Sequence, residues 1–160
     1  MKQIIAQFEL QTSLFLNSLE NISDQESNLQ NHENLNPIKW VAGHIANTRM
    51  SLITILTGKS ANPTYQKHFG KGSSNKFDKE VPTIENIMAN WLVVTTELTD
   101  ILKNLSEEKQ QTLPPFQTSI PDQTLHGLIA YFAIHEAHHI GQISVLRKLI
   151  DKDTMKMNRI

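Results

Sequence analysis

The sequence predicts an all-α protein, a four-helix bundle with long crossover connections. Four segments repeat apolar residues with the 3.6-residue period of a helix. Nothing alternates with period 2 over a useful length, so no sheet is expected. The helical segments are separated by polar or Gly/Pro-bearing stretches, the longest covering residues 59–82. The 160 residues form a single domain, 1–160, large enough to bury a real core.

The first helix is expected over residues 2–19, with Ile4, Ile5, Phe8, Phe15 and Leu19 close to one side of the wheel. Residues 21–36 read as a polar linker, too hydrophilic for the core. Asn36-Pro37 then supplies an N-cap residue and a Pro at the first helical position. The second helix follows over 37–57 and stops at Gly58. Residues 59–82, with Gly70, Gly72, Ser73 and Ser74, read as an irregular crossover that either covers a site or forms a dimer edge. Pro82 and Thr83 open the third helix, 83–103, and Ser106-Glu-Glu-Lys starts a short extra turn. A linker with Pro114-Pro115 leads to Pro121-Asp122, the start of a fourth helix that continues to about residue 150; the last ten residues are expected to fray.

Composition removes several classes of function. Hydrophobic residues make up 39% and charged residues 19%, which fits neither a disordered tail nor a membrane protein. A net charge of −1 offers no electrostatic footprint for nucleic acid. No apolar run approaches the roughly 18–20 residues that span a bilayer, and MKQIIAQFELQ turns polar too early for a signal peptide. Cysteine is absent, so disulfides, thiolate metal ligands and a Cys nucleophile are excluded. A soluble, cytoplasmic protein with neither a nucleic-acid nor a membrane partner is expected.

The chemistry concentrates in histidine. His135 and His139 lie four apart on the fourth helix and share a face with Leu128, Phe132, Gln142 and Leu146. This reads as the core face, where two unpaired imidazoles would be costly unless a divalent ion paired with them. The second helix offers His44, on a stripe with Val41, Thr48 and Ile55, as a third ligand from across the bundle. Three neutral nitrogens leave coordination positions open, which marks a catalytic rather than a closed structural site. Gln142 and Asn47, each three residues after a proposed ligand, are candidates to orient an imidazole or to pack with a local hydrogen bond. His138, toward the edge of the same face, either lines the mouth of the site or is a solvated boundary residue. His32, His68 and His126 are expected at the surface. Gly43 and Gly141 each adjoin a proposed ligand inside a helix, where close helix approach would justify a Gly.

Asn36-Pro-Ile-Lys-Trp-Val-Ala-Gly-His44 and His135-Glu-Ala-His-His139-Ile-Gly-Gln142 together resemble the DinB/YfiT-like superfamily of metal-dependent enzymes. The order of elements matches over nearly the whole chain. The resemblance implies a four-helix bundle with a His₃ site for zinc or nickel, a homodimer and a small-molecule substrate. By position, the family's ligands fall on His44, His135 and His139. Many members carry Arg directly before the Gly-Gln pair, where this chain has Ile140, so the anionic group such an Arg would bind is not expected to be bound in the same way.

Characterised branches of the superfamily transfer or use low-molecular-weight thiols. The resemblance therefore implies a metal-bound thiolate, from a small thiol such as bacillithiol, attacking an electrophile. A hydrolase is the alternative, with the same open position activating water. Glu136 is about 100° around the helix from His135 and should point away, which leaves such a hydrolase without an obvious base. The third reading is a stress-related binding or dimerisation module that a metal merely braces.

Overall fold

The computed structural model describes residues 1–30 and 32–158. Four long helices form the bundle: α1 (Lys2–Leu19), α3 (Ile38–Thr57), α5 (Ile84–Lys103) and α7 (Leu125–Lys148). Three short ones, α2 (Asp24–Ser27), α4 (Pro63–Phe69) and α6 (Glu107–Gln110), lie in the connections, and no strand forms among the described residues. The expected bundle and its four long helices are therefore present. Helix α7 begins a few residues later than Pro121-Asp122 suggests. The Asp122 carboxylate accepts from the Thr124 N–H and hydroxyl, and Thr124 in turn caps the Gly127 N–H.

The bundle has an up-down-down-up order. Helices α1 and α3 each pack against both α5 and α7, which puts α1 diagonally opposite α3 and α5 diagonally opposite α7. One apolar half gathers Ile4 and Phe8 of α1 with Leu52 and Leu56 of α3, Leu98 and Leu102 of α5, and Leu125 to Phe132 of α7. The other half gathers Phe15 and Leu19 with Ile38 to Ala46, Ile84 to Trp91, Ile140 and Ile143. Thus α1 runs parallel to α7, and α3 runs parallel to α5. Two parallel neighbours in sequence require a connection that returns the length of the bundle, and residues 58–83 supply it. Gly58, left-handed at φ 75°, turns the chain out of α3. Helix α4 then packs on α3, and Phe77 and Val81 reach the opposite apolar half.

Between the two halves lies a charged layer. Arg49 and Glu136 are both 0% exposed and form a two-pronged pair, Nε to Oε1 at 2.8 Å and Nη2 to Oε2 at 2.6 Å. The remaining guanidinium nitrogen donates to Thr12 Oγ1 at 3.1 Å and to Thr95 Oγ1 at 2.5 Å, so each long helix contributes one residue. The Trp91 ring lies 3.5 Å from the guanidinium carbon and gives it a π face. Every Arg49 nitrogen is thereby engaged, which is the condition under which a buried charge is tolerated.

Two expectations for the polar segments change. Residues 21–36 are not wholly outside the core. Ser23 and Glu26 form a reciprocal capping box, Ile22 and Ser27 are buried, and Asp24 pairs with the buried Lys39 at 2.6 Å while accepting from the Ile84 N–H at 2.8 Å. The carboxyl end does not fray over 151–158. Arg147 holds the Asp153 carbonyl, Asn17 holds those of Lys156 and Asn158, and Met155 is buried. The same expectation for 159–160 lies outside the described residues. Among the described residues, no helix is long and apolar enough to cross a membrane.

Because the pair is fully buried, removing one partner strands the other charge. Glu136→Ala is expected to lower the unfolding free energy by about 3–5 kcal/mol. The double variant Arg49→Met/Glu136→Leu should lose clearly less than the sum of the two single losses, as measured by denaturant unfolding.

Candidate metal centre

His44 of α3 and His135 and His139 of α7 meet in the groove between those helices, with one ring nitrogen from each within 4.8 Å of the others. They lie on the shoulders of their helices and are half-buried, a correction to their expected place on the core faces. The stripe of α7 that enters the core is Ile129, Ala133, Glu136, Ile140 and Ile143, and that of α3 is Ile38, Ala42, Ile45, Arg49 and Leu52. Apolar residues also flank these stripes, so the wheel admits two faces about 100° apart. The face taken as core carries the imidazoles and Gln142, which is exposed. The outcome suits chemistry, because the triad borders solvent.

Two of the imidazoles are oriented through the nitrogen that faces away from the cluster. His44 Nδ1 donates to the Phe69 carbonyl at 2.8 Å, and His139 Nδ1 donates to Gln142 Oε1 at 2.6 Å. Both therefore keep Nε2 as a free lone pair. His139 Nε2 and His135 Nε2 lie 3.1 Å apart, and His135 Nδ1 is buried with no hydrogen-bond partner. Two nitrogens on a tetrahedral zinc ion, each about 2.05 Å from it, are roughly 3.3 Å apart. The donor set, its spacing and the fixed tautomers fit one divalent ion. Burial holds the His135 imidazole down at about 4, with further lowering from His139, His44 and His138. Burial likewise lowers His44 and His139, partly offset by their bonds to Phe69 and Gln142. All three are thus neutral, ligand-competent bases at pH 7.

The Phe69 carbonyl comes from α4, an element the sequence reading did not contain. Asn62 caps α4 through the N–H groups of Thr64 and Tyr65, and Pro63 stands at its first position. Its approach to α3 depends on Gly43, where a Cβ would sit 2.4 Å from the Phe69 ring. Gly43 therefore admits Phe69 beside His44, whereas Gly141 has nothing within 4 Å and serves no close approach. Trp40 stacks on the His44 ring at 4.9 Å and 9°, and its indole N–H donates to Ser73 of the same connection. Residues 59–82 thus reach the site, as the expected covering role requires.

The other expected residues divide. Gln142 touches both His139 and His138, the latter at 3.2 Å. His138 is exposed at the edge of the groove beside His139. Asn47 is buried and makes no hydrogen bond to an imidazole of the triad; its amide reaches Gln66 of α4 at 3.4 Å. His32 is exposed, and His126 pairs with Asp122. His68 is a correction: it is 8% exposed, because α4 turns it inward beside Phe69.

Solvent-connected grooves flank the triad. One of about 620 Å³ is bordered by His139, His138, Trp40 and Leu146. The other, about 500 Å³, is bordered by His44, His135, Trp40, Tyr131, Phe116 and Lys71. Neither lining contains a carboxylate. Glu136, adjacent to a triad residue, is turned away and held by Arg49.

Two outcomes are expected. Gly43→Ala should displace Phe69, destabilise the fold by about 1–3 kcal/mol in denaturant unfolding, and weaken zinc binding by freeing the His44 ring. Metal-free protein should lose stability as pH falls from about 6.5 toward about 4, because the unfolded chain takes up protons there that the folded His135 refuses. This stability is fully present above about 6.5, and His135→Gln should flatten the slope in thermal melts taken across that window.

A family model for the DinB superfamily matches residues 7–143. Among solved structures, a conserved protein from Enterococcus faecalis superposes with a TM-score of 0.75 at 14% identity, covering 94% of this chain and 97% of its own. YfiT from Bacillus subtilis, described as a probable metal-dependent hydrolase with an unusual four-helix bundle topology, gives a TM-score of 0.65 at 16% identity, covering 95% and 88%. No curated protein matches. At these identities the two structures speak for the fold, while the family model spans most of the sequence. The chain belongs to the DinB superfamily.

Proposed function

We propose that the protein is a metal-dependent enzyme in which His44, His135 and His139 hold one zinc or nickel ion, and that its nucleophile is a small thiol transferred to an electrophilic substrate. The observation that carries this reading is a convergent set of three neutral imidazoles in a groove whose lining has no carboxylate. A divalent ion bound there lowers the pKa of a coordinated thiol or water into the neutral range. The chain's own residues do the rest. Phe69 and Gln142 fix two of the imidazoles, Trp40 walls the groove beside His44, and Lys71 adds the one fully charged side chain to its lining. Such a groove favours anionic ligands, and a thiolate arrives as one. Attack by a thiolate needs no general base once the sulfur is ionised. Attack by water benefits from one, and the carboxylate nearest in sequence, Glu136, is committed to Arg49.

Hydrolysis is the second reading, favoured by the description of YfiT. One set of assays separates the two. Purified protein is expected to carry one ion per triad and to accelerate the reaction of at least one biological thiol with a chloronitrobenzene electrophile, with activity lost on chelation and in His139→Ala. No metal-dependent rate with any thiol would overturn the transferase reading. Metal-dependent cleavage of a nitrophenyl ester without thiol would then establish the hydrolase. A chelator that lowers the melting temperature of a protein inactive in both assays would leave only a bracing role.

A further inference from the structure

A second cluster of ligand-type side chains lies in the long crossover, apart from the triad. His68 stands near the end of α4, and Asp78 and Glu80 stand just before α5. One ring nitrogen of His68 and one carboxylate oxygen from each acid lie within 4.8 Å of one another. His68 is the unusual member. It is 8% exposed, packs edge-on against Phe69, and no hydrogen bond reaches either of its ring nitrogens among the described residues. A buried imidazole normally pairs both nitrogens. Here one ring nitrogen lies within 4.8 Å of an oxygen of each carboxylate without bonding to either.

The two acids are exposed and carry opposing features. The Asp78 carboxylate accepts from the Glu80 N–H at 2.9 Å, which fixes the acids as a pair. Lys67 Nζ lies 2.6 Å from Glu80 Oε2, so an exposed ammonium already answers the negative charge of the cluster. An ammonium could also donate to the lone pair of a neutral imidazole, but Lys67 is committed to Glu80 and makes no hydrogen bond to His68. A divalent transition ion satisfies both kinds of donor.

We propose that His68, Asp78 and Glu80 form a second divalent-cation site, with one nitrogen and two oxygen donors, suited to Zn²⁺ or Mn²⁺. Lys67 is its built-in competitor and must release Glu80 for the ion to bind. The ion ties α4 to the start of α5 and closes the residues between them into a loop. That loop carries Lys71 and Ser73, which border the second groove and hold Trp40. The site is independent of the triad, and its ligands are none of the triad's.

Zinc titration by calorimetry of the full-length chain tests this. In the His44→Ala/His135→Ala/His139→Ala background, one zinc ion per chain is expected to remain, and zinc should raise the melting temperature. Adding Asp78→Asn and Glu80→Gln, both at exposed positions, should abolish that binding while leaving the circular dichroism unchanged. Lys67→Ala should tighten it by about threefold, the scale of a released surface ion pair. Should the triad-less chain fail to fold, the same two acid substitutions in the otherwise native chain must lower the stoichiometry by one ion. A triad-less chain that takes up no zinc, or binds it equally well after the acid substitutions, overturns the site. A native chain that binds only one ion with or without them does so as well.

Discussion

The structure turns on a single ion pair. Arg49 and Glu136 occupy the centre of a core that is apolar above and below them, and with Thr12 and Thr95 they draw one residue from each long helix to the same level. Such a layer fixes register, since sliding any helix by a turn would leave a charge or a hydroxyl facing hydrocarbon. It also sets the rotation of α7. With Glu136 directed inward, the neighbouring position 135 and position 139 must fall on the shoulder of the helix. The same holds on α3, where Arg49 directed inward leaves His44 on the flank. The convergence of three imidazoles in the groove is thus a geometric consequence of a charge pair that takes no part in their chemistry.

Support for the triad comes from outside the four-helix frame. The crossover between the parallel helices α3 and α5 must run about 30 Å, the length of a twenty-residue helix, and about nine extended residues would cover that distance. Residues 58–83 are far more than the span requires. The surplus folds as α4 and a loop pressed against α3, giving the His44 ring its hydrogen-bond acceptor and Trp40 its partner. The part of the chain that topology leaves free is the part that orients the His44 ring.

Much of this was legible in the residues. Four helices follow from apolar periodicity, and their ends from Pro37, Gly58, Thr83 and Pro121 to within a few positions. The histidine set followed from an i, i+4 pair and the single histidine of α3. The helix faces were misjudged, because residues on either side of His44 and His135 are also apolar, and periodicity alone does not rank two adjacent stripes. The decisive signal was present: an Arg at 49 and a Glu at 136 each interrupt an apolar stripe, with opposite signs. Helix α4 was missed because Asn62-Pro63 opens a segment of seven residues, too short for periodicity to register. Its contact through Gly43 is long-range, and no local pattern encodes it. The buried His68 followed α4 into the same gap.

The parallel pairing of α1 with α7 has a bearing on how the chain is made. Helix α7 leaves the ribosome after the other three long helices, and it carries both the counter-ion of Arg49 and two of the three triad histidines. A nascent chain that ends before α7 holds a guanidinium with no carboxylate and one imidazole with no companions. It therefore has neither a core it can close nor a site it can occupy. The contacts that complete the bundle join α1 to α7, far apart in sequence, so closure is cooperative. A chain without α7 therefore lacks the convergent imidazoles as well as the closed core.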